Sequence, residues 1–169
     1  TEYLYQLGHR KIAYLGVDNS LVFSADRRNG YQLALTRHGI VPKPEYCVEL
    51  PSITAGEDTP VHALLRSASR PTAIVVSDDI LALTLERICT ETGLSIPADL
   101  SILSFNNSLF ARLTSPQLTS IDINSCQLGI EAAAQMISHI ENPGLPATKI
   151  LVPHQLIERD SCARPASHE

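Results

Sequence analysis

Residues 72–77, Thr-Ala-Ile-Val-Val-Ser, constrain the fold of this chain more than any other stretch. The run is apolar and β-branched at its centre and shows no in–out alternation. A strand with one wet face would alternate, so this one suits a position covered on both faces, the habit of a parallel sheet. Pro71 delivers the chain into it, and Asp78-Asp79 ends it. A helix over 79–92 follows, with Gly93 as its stop, because glycine tolerates the left-handed cap.

The same alternation runs through residue 105. Lys11 to Val17 reads as a buried strand, 18–23 as a loop, and Ser24 to His38 as a helix ended by Gly39. A weaker strand covers Tyr46 to Leu50, a helix covers Ala55 to Ser69, and a short strand covers Leu100 to Phe105. Beyond it come a strand at Leu118–Ile123, a helix at Ser125–Glu141 ended by Asn142-Pro143-Gly144, and two late strands at Lys149–Val152 and Gln155–Glu158. The tail from Ala163 reads as loose. Strand–helix alternation implies βαβ units, hence an α/β three-layer sandwich around a mostly parallel sheet.

Composition removes several function classes. At 169 residues and 44% hydrophobic content the chain supports a real core. A net charge of −5 makes it a poor gripper of phosphate backbones by itself. No apolar run approaches the ~18–20 residues of a membrane helix, and no secretory signal opens the chain. Cys47, Cys89, Cys126 and Cys162 are far apart in sequence, so no CxxC motif exists and reduced cytoplasmic thiols are expected. The only methionine is Met136, so the chain reads as a fragment or a processed form. No GxG, Walker or GxSxG pattern is present, and no metal spacing links the six histidines, which are expected at the surface or as caps. No cofactor, metal or catalytic residue is predicted.

Open parallel sheets bind ligands beyond the carboxyl ends of their strands. That rule selects 18–26, Ser77-Asp78-Asp79 and Asn106-Asn107-Ser108. One of the paired acids should cap the helix; Asp79 is expected there, leaving Asp78 free to face a cleft. Both could instead be structural. Arg27 shares a helical stripe with Gly30, Tyr31 and Ala34, and sits where a cation opposes the helix dipole. That placement suggests ligand contact, the alternative being a solvated residue or a pair with Asp78. Arg28 points elsewhere, toward the surface. Phe23 offers an apolar platform or simple core packing. Asn106 is expected to face the cleft, and Asn107 to hold the turn through an Asx bond. Arg27, Asp78 and Asn106 form a hydrogen-bonding set suited to a neutral, hydroxyl-rich ligand.

LGHRKIAYLG (7–16), DRRNGYQLAL (26–35), RPTAIVVSDDILAL (70–83), GLSIPADLSILSFNNS (93–108), SPQLTSIDIN (115–124) and LIERDSC (156–162) occur in this order. Together they resemble the effector-binding core of the lactose-repressor/galactose-repressor family of bacterial transcription regulators. The resemblance implies a periplasmic-binding-protein-like fold of two flavodoxin-like subdomains around a sugar-sized cleft, and a separate N-terminal helix-turn-helix that binds operator DNA. It implies ligand contacts at Arg27, Asp78 and Asn106. FNN at 105–107 replaces the common FDD, and Ile123 stands where many relatives place glutamine. The FNNS…LTSIDIN combination is similar to maltose-type repressors.

By the same resemblance, 1–123 is the C-terminal effector-binding subdomain and 124–152 crosses to the N-terminal subdomain, which this chain mostly lacks. Residues 153–162 return as a strand, and 163–169 form a tail. Without its partner, 124–152 is expected to be displaced, disordered or swapped. A homodimer is implied, formed through Leu83, Arg87, Thr90, Phe110 and Leu113. The expected function is cytoplasmic sugar sensing that modulates operator binding, with a small sugar and, through the absent domain, DNA as partners. A periplasmic-type sugar receptor shares the fold. An enzyme of flavodoxin-like shape would need a nucleophile–base pair or cofactor loop that the sequence does not show.

Overall fold

The structure, a computed structural model, describes residues 1–17, 22–51 and 59–166. Its elements are α1 (Glu2–Gln6), β1 (Ile12–Val17), α2 (Val22–Arg37), β2 (Cys47–Leu50), α3 (Thr59–Arg66), β3 (Ala73–Val76), α4 (Asp79–Thr92), β4 (Ser101–Phe105), α5 (Leu109–Leu113), β5 (Thr119–Asp122), α6 (Ser125–Glu141) and β6 (Gln155–Ile157). They build one sheet in the order β2-β1-β3-β4-β5-β6. β1 through β5 pair in parallel and β6 closes the edge antiparallel to β5. The expected α/β sandwich with a mostly parallel sheet is what the chain adopts.

The central strands show why 72–77 carries no alternation. Successive side chains of a strand point to opposite faces, and here both faces are covered. Ile74 and Val76 join Leu15, Ile102 and the α4 residues Leu81, Leu85 and Ile88 on one side. Ala73 and Val75 join Tyr14, Leu103, Leu4 of α1 and Tyr31 of α2 on the other. Every residue of β1 and β3 is buried. Strand order reverses between β1 and β3, the switch point beside which open α/β sheets place their ligands.

Several boundaries move. α2 starts before Ser24, and the predicted helix over 55–69 is described only from Thr59. Residues 18–21, 52–58 and 167–169, which include part of that helix, part of the first strand-end loop and the tip of the tail, lie outside the described residues. The strand expected at Lys149–Val152 is not one. β6 pairs through Gln155 opposite Asp122, the last residue of β5, so the preceding residues run past the end of the strand it pairs with. Leu151 is 80% exposed there. α5 and a 3-10 turn at Pro44–Tyr46 were not among the expected elements; five and three residues are too short for a periodic signal. α6 is helical throughout its 17 residues, yet none of them is buried.

His9 departs from the expectation that histidines lie at the surface. It is 1% exposed. Its Nε2 donates to the Ala163 carbonyl at 2.8 Å and its Nδ1 pairs with the Thr72 hydroxyl at 2.9 Å. One side chain thus ties the turn after α1, the lead into β3 and the C-terminal segment. Burial pulls its pKa below the ordinary 6.5, opposed by the Ala163 carbonyl. The unfolded chain therefore binds a proton more readily than the fold does, so this contribution is complete above about pH 6.5 and fades as pH falls. Thermal midpoints measured between pH 7.5 and 5 should decline, and His9→Gln should flatten that decline. An equal decline in both proteins would remove His9 as its source.

Candidate functional site

The carboxyl ends of β1, β3 and β4 lie side by side, and the expected polar residues gather there. Asp78, not Asp79, caps α4: its backbone is extended and its Oδ1 accepts the Ile80 N–H at 2.7 Å. The reason is positional. Asp79 is already the first helical residue, so only the residue before it can reach the free N–H groups of the first turn.

Asp79 is instead 1% exposed. Its Oδ1 accepts the hydroxyls of Ser104 at 2.5 Å and Ser120 at 2.8 Å, and its Oδ2 accepts the Ser108 N–H at 2.6 Å. One carboxylate therefore pins the start of α4 to β4, β5 and the loop before α5. Ser104 and Ser120 were not singled out in the sequence. The available signal was a serine inside each of two predicted strands, since a buried hydroxyl needs a partner.

Arg27, Asp78 and Asn106 come together as one chain of hydrogen bonds. Asn106 Nδ2 donates to Asp78 Oδ2, and Arg27 Nη2 donates to Asn106 Oδ1 at 3.1 Å. Arg27 Nη1 donates to the Ser77 carbonyl. The Arg27 guanidinium lies 5.0 Å from the Phe23 ring centroid and 4.6 Å from that of Phe105, so two aromatic faces flank the cation. Phe23 itself is half-exposed rather than core. Burial pulls the Arg27 pKa below its usual value, while Asp78, Tyr14 and Asp79 pull it back up. Arg28, expected at the surface, is half-buried and pairs with Glu49 of β2 at 3.3 Å.

The amides at 106 and 107 also answer a backbone demand. Their φ values are +97° and +46°, in the left-handed region that asparagine accepts better than most residues. Asn107 makes no Asx turn. It spans the sheet: Nδ2 donates to Asp122 at 2.9 Å, and Oδ1 accepts from Arg159 at 2.5 Å. Asp122 is held below the usual carboxylate range by the Asn107 amide and the Asn124 N–H.

Two grooves of about 470 and 480 Å3 open on the α1–α2 side of the sheet. Arg27, Leu103, Phe105 and Ile121 line both; Leu128 and Ile150 join the second. Asp78 and Asn106 line neither, because their polar atoms face each other and Arg27. On the opposite side α4 packs against α5. Leu83 there is half-buried, Arg87 pairs with Glu91 at 2.6 Å, Thr90 is exposed, and Phe110 and Leu113 are 44% and 70% exposed. Among the described residues no cluster of three or more metal-ligating side chains occurs, and no helix is long and apolar enough to cross a membrane.

Residues 1–162 match the periplasmic binding protein-like domain. The ribose operon repressor of Haemophilus influenzae is 32% identical over 85% of this chain and 43% of its own length. A solved structure from Bacillus cereus subsp. cytotoxis, assigned to LacI-type regulators, superposes with a TM-score of 0.91 at 36% identity, covering 98% of this chain and 58% of that one. A LacI-family regulator from Enterococcus faecium, solved with bound ribose, gives 0.83 at 28% identity, covering 98% and 61%. The chain spans about half the length of the curated relatives it matches.

The Asp79 hub sets a stability test. Asp79→Ala leaves two buried hydroxyls and one N–H without their acceptor, and unfolding in urea should show a loss of at least about 3 kcal/mol. A loss under about 1 kcal/mol would mean that water replaces the carboxylate.

Proposed function

The chain belongs to the periplasmic binding protein-like domain family, and on that footing we propose that it is the sugar-sensing core of a LacI-type transcriptional repressor. The observation that carries this reading is the joined set Arg27–Asn106–Asp78 at the switch-point edge, flanked by Phe23 and Phe105. Aromatic faces receive the apolar face of a sugar ring, while the amide, the carboxylate and the guanidinium exchange hydrogen bonds with its hydroxyls. The three groups satisfy one another in this structure. A ligand therefore replaces internal bonds with its own, and a polyhydroxylated ligand does so at little electrostatic cost. Ribose in the Enterococcus faecium regulator supports a monosaccharide of that kind.

In this reading 1–123 forms one lobe, 153–162 returns to it as a strand, and 124–152 belongs with a second lobe. The unburied α6, with Leu128, Ile137 and Ile140 all exposed, supports that division. The ligand favours one closure of the lobes, and operator affinity follows that population through a separate DNA-binding segment. Neither covalent chemistry nor a cofactor is required, and the protein works in the cytoplasm. Leu83, Arg87 and Thr90 of α4 with the exposed Phe110 and Leu113 of α5 are the surface through which two copies pair.

A screen of monosaccharides and disaccharides, ribose and maltose included, on the intact protein tests the ligand class. A binder at ~100-fold over its Kd should add ~2.7 kcal/mol of stability. Asn106→Ala should abolish that gain, and a full gain in the variant would remove Asn106 from the site. For pairing, sedimentation equilibrium should give a two-chain mass that Leu113→Lys reduces to one chain. A one-chain mass for the unaltered protein at all concentrations would refute the pairing surface.

A further inference from the structure

Beside Arg27 lie two serine hydroxyls, Ser24 and Ser77, that the fold leaves without a well-formed hydrogen bond. Ser24 of α2 and Ser77 after β3 are both 0% exposed. Among the described residues the Ser24 Oγ has no hydrogen-bond partner, and the Ser77 Oγ lies near enough to the Tyr14 phenol to lower its pKa but meets no group in full hydrogen-bonding geometry. They belong to one place. Ser24 lies one helical turn before Arg27, and the Ser77 carbonyl accepts from the Arg27 guanidinium. The Tyr14 hydroxyl reaches between them and donates to the Ser24 carbonyl at 3.3 Å. Ser77 follows Ala73 and Val75 on the face of the sheet that carries Tyr14, since side chains two apart share a face.

The backbone makes room for this arrangement. A Cβ at Gly16 would stand 2.7 Å from the Tyr14 ring and 2.8 Å from its hydroxyl. Only a residue without a side chain lets the ring lie flat along β1 with its hydroxyl at the strand end. Tyr14 is pushed up to about 12, chiefly by burial, with Glu49 and Cys47 adding to the rise and Arg27 and the Ser77 side chain opposing it. The phenol therefore stays protonated and keeps a donor in the group.

Folding alone does not favour these serines. Alanine fits the same space, has the higher helix propensity at position 24, and leaves no buried hydroxyl without a partner. Buried polar groups without partners are rare enough to require a reason. Here two flank the same arginine at the strand-end edge. Resting on the sugar-sensing reading above, we propose that Ser24 and Ser77, with the Tyr14 hydroxyl between them, form a polar floor that accepts one further hydroxyl of the bound sugar when Arg27 turns off the Ser77 carbonyl. They are then specificity-determining residues: a sugar lacking that hydroxyl fills the site but leaves the floor unpaired.

The test uses the intact protein with Ser24→Ala, Ser77→Ala and Tyr14→Phe. Each is measured without ligand and with the best sugar from the screen, beginning with ribose. The floor predicts ligand-free melting temperatures for both serine variants within about 2 °C of the unaltered protein or above it. It also predicts a Kd raised at least roughly tenfold for each serine variant. The deoxy analogue that loses affinity in the unaltered protein should bind the serine variants without further penalty. A ligand-free melting temperature lowered by more than about 5 °C in both serine variants would make the hydroxyls structural and overturn the proposal. Unchanged Kd values would also overturn it, while leaving the sugar-sensing reading intact. If no sugar in the screen binds the unaltered protein, the sugar-sensing reading fails and the floor fails with it.

Discussion

The carboxylate of Asp79 is the interaction on which the strand-end geometry depends. A parallel sheet with both faces covered has nowhere to expose backbone and side-chain polarity except at its strand ends. Asp79 gathers that polarity at one point, holding the serines of β4 and β5 and the first free N–H after Asn107. This fixes the spacing between the β3 and β4 ends. Asp78 can then reach Asn106 while capping α4, and Arg27 can bridge from α2. The candidate site is thus a surface consequence of a buried carboxylate hub, and the two adjacent acids divide the work: Asp78 caps α4 and meets Asn106, while Asp79 ties α4 to β4 and β5.

How far the sequence revealed this can be argued residue by residue. The run at 72–77 announced a strand covered on both faces, and the glycines at 39 and 93 marked helix ends that do adopt left-handed φ. That Arg27, Asp78 and Asn106 gather at one strand-end edge was recognisable because the strand-end rule needs only approximate element boundaries. Which acid caps α4 was not recognisable, since a shift of one residue exchanges the two roles and both residue types fit either. His9 was misplaced for a related reason: its partners, Thr72 and Ala163, are 63 and 154 residues away. No local pattern reports a bond of that span. The strand expected at 149–152 failed because an apolar run states a preference for extension and not the presence of a neighbour to pair with.

α6 marks the boundary between what this chain organises internally and what it presents outward. Its periodicity and its asparagine cap are those of any amphipathic helix. Yet it contributes nothing to either hydrophobic cluster on the sheet. Local rules therefore built the helix correctly without indicating which surface should bury it. Helix formation and helix docking are separate decisions, and only the first is written in a single segment.

The left-handed backbone at 106 and 107 has a consequence for how such a pocket changes over generations. Few residue types tolerate φ values of +97° and +46°, and asparagine, aspartate and glycine are foremost among them. Asparagine and aspartate codons differ by one base. A single mutational step at 106 therefore replaces two donors and an acceptor with acceptors alone, keeping the backbone φ acceptable while exchanging the bond to Asp78 for a second carboxylate beside it. The fold keeps the permitted alphabet small, and on the proposed sugar-sensing reading the letters that remain are those that alter which ligand is preferred. On that reading, conformational restriction channels variation into ligand choice and away from loss of structure.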